Sequence, residues 1–191
     1  MMSHEHENSE PSLEAVYLVA VRMHEEGGGV LIYTLLLMDE DRRGGKDRPL
    51  ADPDGYIVWF KDPDEAARAM LVGDEAFARH FPAPSEVALV YDLQQIAWNV
   101  TEGVRDDGAV VLNGVNLILD LVEATGFPLP PAYQKTLFEL ADSLTFSSDL
   151  GFLDDLCPSA RGDVMDALCW CVGAVAIKSH FLAPARVGGV P

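Results

Sequence analysis

Residues 30–38 read VLIYTLLLM, a run of nine residues without a charge, a glycine or a proline. Apolar side chains occupy both alternating sets of positions, so an extended segment here would have no polar face. A strand with two apolar faces is typical of the interior of a sheet that is covered on both sides. The segment therefore predicts a central strand with packing partners above and below it.

Two further strand-like segments flank this one in the sequence. Residues 15–22 (AVYLVAVR) precede it and residues 56–60 (YIVWF) follow it, and both are rich in β-branched and aromatic side chains. The simplest topology is an antiparallel meander with residues 30–38 in the middle. Residues 86–91 (EVALVY) fit a fourth strand or the first turns of the next helix, and we favour a short strand.

Helical patterns dominate the rest of the chain. Asp62 and Pro63 mark the start of one helix, because aspartate is a good N-cap and proline suits the first helical position. From Asp92 onward, apolar residues recur at spacings of three and four. We predict three helices, over residues 109–125, 131–144 and 159–182. The first of them should end at Gly126, a suitable C-cap.

These elements predict an α+β protein. We expect an N-terminal antiparallel sheet of three or four strands with one or two helices, followed by a C-terminal bundle of about four helices. Residues 14–185 would form one domain, with the sheet part at 14–91 and the helical part at 92–183. Residues 1–13 are expected to be a disordered acidic tail and residues 186–191 a frayed one.

Two of the three cysteines, Cys169 and Cys171, lie in an uncharged run, residues 167–177 (ALCWCVGAVAI). Residues i and i+2 of a helix point about 200° apart, so these two thiols could not share a metal. The run is also shorter than the roughly 20 residues that span a bilayer. It predicts a buried core helix in which cysteine packs as a small hydrophobe.

Charge is the strongest compositional feature. The formal net charge is −18, and residues 106–166 hold eleven acidic and two basic residues. Such a field repels nucleic acid and anionic membranes and attracts basic partners, although it also simply confers solubility. If a basic partner binds, we expect it at the acidic residues of this block: Asp106, Asp107, Asp120, Glu123, Asp142, Asp149, Asp154 and Asp155.

The sequence lacks the common catalytic and nucleotide-binding motifs. The sequence contains no G-x-S-x-G, H-E-x-x-H or G-x-G-x-x-G pattern. The HEHE of residues 4–7 is interpreted as part of a solvated tail, and the DEDRRGGKD of residues 39–47 as an exposed hairpin loop or, alternatively, an anion or partner contact. We predict no catalytic, cofactor-binding or metal-ligating residue. The acidic N-terminus has no positively charged n-region, which favours a cytoplasmic location.

Three functions remain open. The first is a noncatalytic protein-binding protein of a bacterial cytoplasm, such as an immunity protein or adaptor that engages a basic partner. The second is a small-molecule sensor or enzyme with a pocket between sheet and bundle, lined by aromatic residues. The third is a structural homo-oligomer, for instance a homodimer. The aromatic residues expected at such a pocket are Tyr17, Tyr33, Trp59 and Trp98.

Overall fold

The structure, a computed structural model, describes residues 14–23, 29–39, 47–72, 82–102, 107–147, 149–156 and 159–182. Its strands are β1 (Glu14–Arg22), β2 (Leu31–Asp39), β3 (Arg48–Pro49), β4 (Ile57–Trp59), β5 (Val87–Asp92) and β6 (Ser179–Phe181). Its helices are α1 (Pro63–Val72), α2 (Leu93–Glu102), α3 (Gly108–Thr125), α4 (Pro131–Phe146), α5 (Phe152–Leu156) and α6 (Ala160–Ile177). The predicted tails, the HEHE segment, most of the 39–47 loop and Cys157 lie outside the described residues.

The predicted α+β class is confirmed, with a four-stranded sheet in the order β3-β2-β1-β5. Strands β1 and β2 pair antiparallel, with Val19 opposite Thr34. Strand β5 runs parallel to β1, with Val19 next to Leu89, so the sheet is mixed and not wholly antiparallel as predicted. A parallel neighbour needs a crossover, and the chain between β1 and β5, which includes helix α1, provides one. The fourth strand expected at residues 86–91 is thus present.

The third strand of the predicted meander has a different partner. Strand β4 pairs in parallel with β6. It is joined to β2 by a bridge between Tyr33 and Phe60 and by a hydrogen bond of 2.9 Å that Thr34 Oγ1 donates to the carbonyl of Val58. The prediction of a helix as far as residue 182 was correspondingly wrong, because α6 ends at Ile177. Ile57 N–H donates to the carbonyl of Lys178, which draws the chain after α6 into an extended pairing with β4.

Strand β2 has buried neighbours on both sides, as its two apolar faces predict. Leu35 and Leu37 pack on the side of helix α1, together with Met70. Leu36 points the opposite way into the larger core, which the helical bundle fills. Strand β2 also lies between β1 and β3 in the sheet, so the predicted interior strand is confirmed.

Helix α3 is the central helix of the bundle. Its C-cap is Gly126, whose φ of 71° lies in the left-handed region that favours glycine, as the sequence predicts. By length and composition α3 is apolar enough to cross a membrane, a test that core helices of soluble proteins also pass. Half of the helix is buried inside the protein, which agrees with a core helix of a soluble globular domain.

The cysteine-bearing run forms the second half of helix α6. Cys171 is fully buried in the core shared with α3 and α4, whereas Cys169 is exposed. The two thiols therefore point in different directions. The predicted core helix is confirmed, but packing as a buried hydrophobe holds for Cys171 and was wrong for Cys169. Burial raises the pKa of the Cys171 thiol to about 11, so it stays protonated near neutral pH.

Two arginines join neighbouring elements, Arg22 between the sheet and the bundle and Arg161 within the bundle. Arg22 Nη1 of β1 lies 3.0 Å from Asp92 Oδ2, at the junction of β5 and α2. The other oxygen of Asp92 accepts a bond from Gln95 N–H and so caps α2. Arg161 of α6 donates from Nη1 to the carbonyl of Val100 and from Nε to Asp154.

Candidate functional site

Two concave sites lie on different sides of helix α3. The first, which we call the acidic groove, has a volume of about 500 Å3 and lies between α3, α4 and the residue that precedes β3. Its described lining residues are Asp47, Asn116, Leu119, Asp120, Val122, Glu123, Phe127, Leu129, Gln134 and Phe138.

The polar side of the acidic groove follows from the periodicity of helix α3. Asn116, Asp120 and Glu123 follow one another at spacings of four and three, which places them on one face of α3. Gln134 and Phe138 are four residues apart and therefore share one face of α4. Asp47 joins them because β3 pairs on the outer side of β2, close to α3.

The floor of the groove is apolar. Leu119, Val122 and the inter-helix residues Phe127 and Leu129 line it, and Phe138 is 49% exposed at its side. An aromatic side chain that is half exposed beside carboxylates is suited to contact the apolar part of a positively charged ligand.

The groove is electrically negative. Its described lining includes three carboxylates and no lysine or arginine. The pKa of the nearby Tyr91 phenol is raised, first by burial and then by the charges of Asp47 and Asp120. Burial also raises the pKa of the Asp47 carboxyl. Asp120 and Glu123 each have an interaction within the chain as well, so a ligand would share or replace those contacts.

The eight acidic residues expected to bind a partner do not form one surface. Asp120 and Glu123 meet in the acidic groove, whereas Asp106 lies outside the described residues. Asp107 accepts hydrogen bonds from Gln95 and Asn99, and Asp154 forms an ion pair with Arg161. The remaining three are exposed at other places on α4, α5 and the segment between them: Asp142, Asp149 and Asp155.

The second site, which we call the apolar cavity, lies between the sheet and the bundle and has a volume of about 290 Å3. Strands β1 and β2 contribute side chains from their bundle-facing side, and helices α2, α3 and α6 close it opposite. The described lining residues are Val21, Met23, Ile32, Trp59, Leu93, Leu117, Ile118, Leu121, Val172, Val175, Ala176, Ser179, His180 and Phe181.

Besides the Trp59 indole, the described lining includes two polar side chains, Ser179 and His180, and both have partners. Ser179 Oγ donates to the carbonyl of Val175 at 2.6 Å, and His180 Nδ1 lies 3.6 Å from Asp52 Oδ2. The cavity opens to solvent at Met23 and Phe181, which are each 46% exposed. The cavity interior thus presents almost only hydrocarbon.

Of the four aromatic residues expected at a sheet–bundle pocket, only Trp59 lines the cavity. Tyr17 packs against the same core elsewhere, and Tyr33 packs on the other face of the sheet near α1. Trp98 is 58% exposed. The sequence did not reveal the aliphatic lining residues, because they have the same spacing as ordinary core positions.

Within the described residues, no three His, Cys, Asp or Glu side chains are placed to hold a metal ion.

Comparisons with known proteins show the fold alone. No family model and no curated protein matches the sequence. Among solved structures, the chain is similar to the C-terminal domain of SatS, determined in complex with bromine. The match has a TM-score of 0.56 and 14% sequence identity, and it covers 88% of this chain and 94% of that one. The overall fold is therefore shared with a protein of very different sequence.

Proposed function

We propose that this protein is a noncatalytic binding protein whose acidic groove holds a basic, amphipathic segment of a partner polypeptide. The observation that carries the proposal is the convergence of Asp47, Asp120 and Glu123 around an apolar floor. An adaptor or immunity protein of the bacterial cytoplasm is the role that suits such a groove.

Charge complementarity selects the occupant. The whole chain has a net charge of −18, so long-range attraction favours a cationic partner before contact is made. Within the groove, carboxylates would face lysine or arginine, and Phe127, Leu129 and Phe138 would contact apolar side chains between the basic ones. A segment with both features gains specificity from its charges and contact area from its apolar residues.

The first experiment uses a short fluorescein-labelled peptide of leucine and lysine, with fluorescence anisotropy as the readout. We expect binding that weakens steeply between about 0.05 and 0.5 M NaCl, because the screening length shortens over that range. A serine–lysine peptide, which keeps the charge without the apolar residues, and a leucine–glutamate peptide should both bind much more weakly.

Charge reversal locates the site. The variant D120K/E123K should lose about tenfold in affinity, as expected for the reversal of two partly exposed charges. The variant D155K/D166K is the matched control, because it changes the net charge equally at exposed positions of α5 and α6 away from the groove. Equal losses in both variants, or binding that is insensitive to salt, would refute the proposed groove interaction.

The same pair of variants serves to find the natural partner. The tagged protein is recovered from its host at low salt and eluted with rising salt. A basic protein that is retained by the D155K/D166K variant and lost by D120K/E123K would be the partner. A clean homo-oligomer under the same conditions would favour the structural alternative.

A further inference from the structure

We infer that the apolar cavity is a second binding site, for an amphiphilic small molecule that consists of a hydrocarbon chain and a carboxylate, with the carboxylate at Lys61. This inference goes beyond the proposed function, because the cavity lies on the opposite side of α3 from the acidic groove.

The cavity interior selects a hydrocarbon body. A volume of about 290 Å3 is close to the lower end of the range for small-molecule sites, roughly 300 Å3. The described lining is almost entirely aliphatic and aromatic carbon, and the Ser179 hydroxyl already donates to Val175 O. A polar group placed inside would lose its water without replacement, which is unfavourable. The polar end of the ligand must therefore remain at the mouth.

The mouth carries a positive charge. Lys61 Nζ lies 5.6 Å from the centre of the Phe181 ring, and Phe181 lines the cavity where it opens. An aromatic ring attracts the ammonium group without neutralising it. Among the described carboxylates none forms an ion pair with Lys61, whereas Lys135 pairs with Glu139 at 3.7 Å. The nearby Asp62 carboxylate accepts a bond from Asp64 N–H at the start of α1.

A second lysine of the same kind provides an internal control. Lys178 Nζ lies 4.4 Å from the centre of the Tyr56 ring, and Tyr56 does not line the cavity. Lys61 and Lys178 thus have the same chemistry, an ammonium over an aromatic ring, but only Lys61 lies over a cavity-lining ring. An anionic ligand in the cavity should depend on Lys61 and be indifferent to Lys178.

The experiment is calorimetric titration of the full chain with straight-chain carboxylates from hexanoate to tetradecanoate, below their micelle concentrations, and with the matching alcohols. Each added methylene should tighten binding by about fourfold until the cavity is full, after which affinity should level off. The substitution Lys61→Met should weaken carboxylate binding by about two- to fivefold and leave alcohol binding unchanged. Lys178→Met should change neither.

Blocking the mouth tests the location. Ala176 lies on α6 at an exposed position of the lining, and Ala176→Phe should reduce binding of carboxylates and alcohols alike by more than about tenfold. Ile177→Phe is the control, since Ile177 is 71% exposed and does not line the cavity. A circular dichroism melt verifies that each variant is folded.

The outcomes separate the parts of the inference. Carboxylates and alcohols that bind equally, with no effect of Lys61→Met, would overturn the assignment of the carboxylate to Lys61. Absence of binding by both series, or binding that Ala176→Phe does not change, would overturn the cavity as a ligand site. Neither result bears on the peptide titration of the acidic groove.

Discussion

Gly114 of α3 packs directly against Ile96 of α2. It is buried in the middle of α3, and a Cβ added to it would overlap Cδ1 of Ile96 and lie 3.0 Å from Cγ1 of the same residue. Ile96 is itself only 2% exposed, so its side chain has little room to move away. Substitution of Gly114 by alanine should therefore strain this contact.

Two opposing effects determine the size of the change. Alanine is favoured over glycine within a helix by about 1 kcal/mol. An extra carbon in a well-packed core typically costs about 1–3 kcal/mol. We expect Gly114→Ala to lower the free energy of unfolding by about 1 kcal/mol, which for a chain of this size lowers the melting temperature by about 2–4 °C.

Urea unfolding followed by circular dichroism measures this difference, and a double-mutant cycle identifies its cause. Ile96→Val removes Cδ1 and alone should cost about 0.5–1.5 kcal/mol. In that background Gly114→Ala should become neutral or stabilising, which gives a favourable coupling of about 1–2 kcal/mol. Gly173→Ala in α6 is the control, since an added Cβ there meets nothing within 4 Å and should stabilise the protein.

Zero coupling between Gly114→Ala and Ile96→Val, together with stabilisation by Gly114→Ala as large as that of Gly173→Ala, would refute the close contact of α2 and α3.

Three further predictions use single sites. Iodoacetamide should modify exposed Cys169 in the native protein and leave buried Cys171, with its pKa near 11, unmodified until unfolding; mass spectrometry of the peptides checks both. The phenol of Tyr91, whose pKa burial and the groove carboxylates raise above 10, should titrate at lower pH in an Asp47→Asn variant, as measured by tyrosine NMR. Since the unfolded chain loses this proton first, stability should fall as the pH rises above about 10, and less so in that variant. Gly126→Ala should cost about 1 kcal/mol in urea unfolding, because φ is 71° and no atom within 4 Å of the new Cβ adds a contact.

Elements that depend on local pattern were predictable from sequence. The double apolar face of residues 30–38 predicts an interior strand because any register buries both sides, and β2 is interior. The termination of α3 at Gly126 follows from the need for a left-handed residue there. The opposite exposures of Cys169 and Cys171 follow from the angle between helix positions i and i+2.

Pairing partners were not predictable in the same way. The pattern of residues 56–60 predicts a strand, but it does not identify the strand with which this one pairs. In the structure, β4 pairs with β6 in a separate two-stranded sheet. Strand β6 is only three residues long and directly follows a helix, so periodicity offers no signal for it. The parallel pairing of β5 with β1 depends on the path of the intervening chain.

The candidate sites show the same division. Asp120 and Glu123 are neighbours on a helix face by spacing alone, so two of the three carboxylates of the acidic groove were predictable from sequence. Asp47 joins them only through the tertiary fold. The lining of the apolar cavity was invisible, because Val172, Val175 and Ala176 have the spacing of any core helix whether or not the space opposite is filled.

Helix α3 is a common wall of the two sites, and this determines how they should influence each other. Leu117 and Leu121 face the apolar cavity, while Asp120 and Glu123 face the acidic groove. A ligand in one site would act on the other through α3 by moving or rotating this helix, which is held against its neighbours by buried contacts along its length, Val111 among them. Allosteric couplings are typically about 5–150-fold, and they require two discrete arrangements of such an element. Since closely packed helices resist small displacements, we expect saturating decanoate to change the affinity of the leucine–lysine peptide by less than about twofold. A change of about fivefold or more, equal in both directions as linkage demands, would mean instead that α3 has a second position and that the cavity ligand regulates the groove.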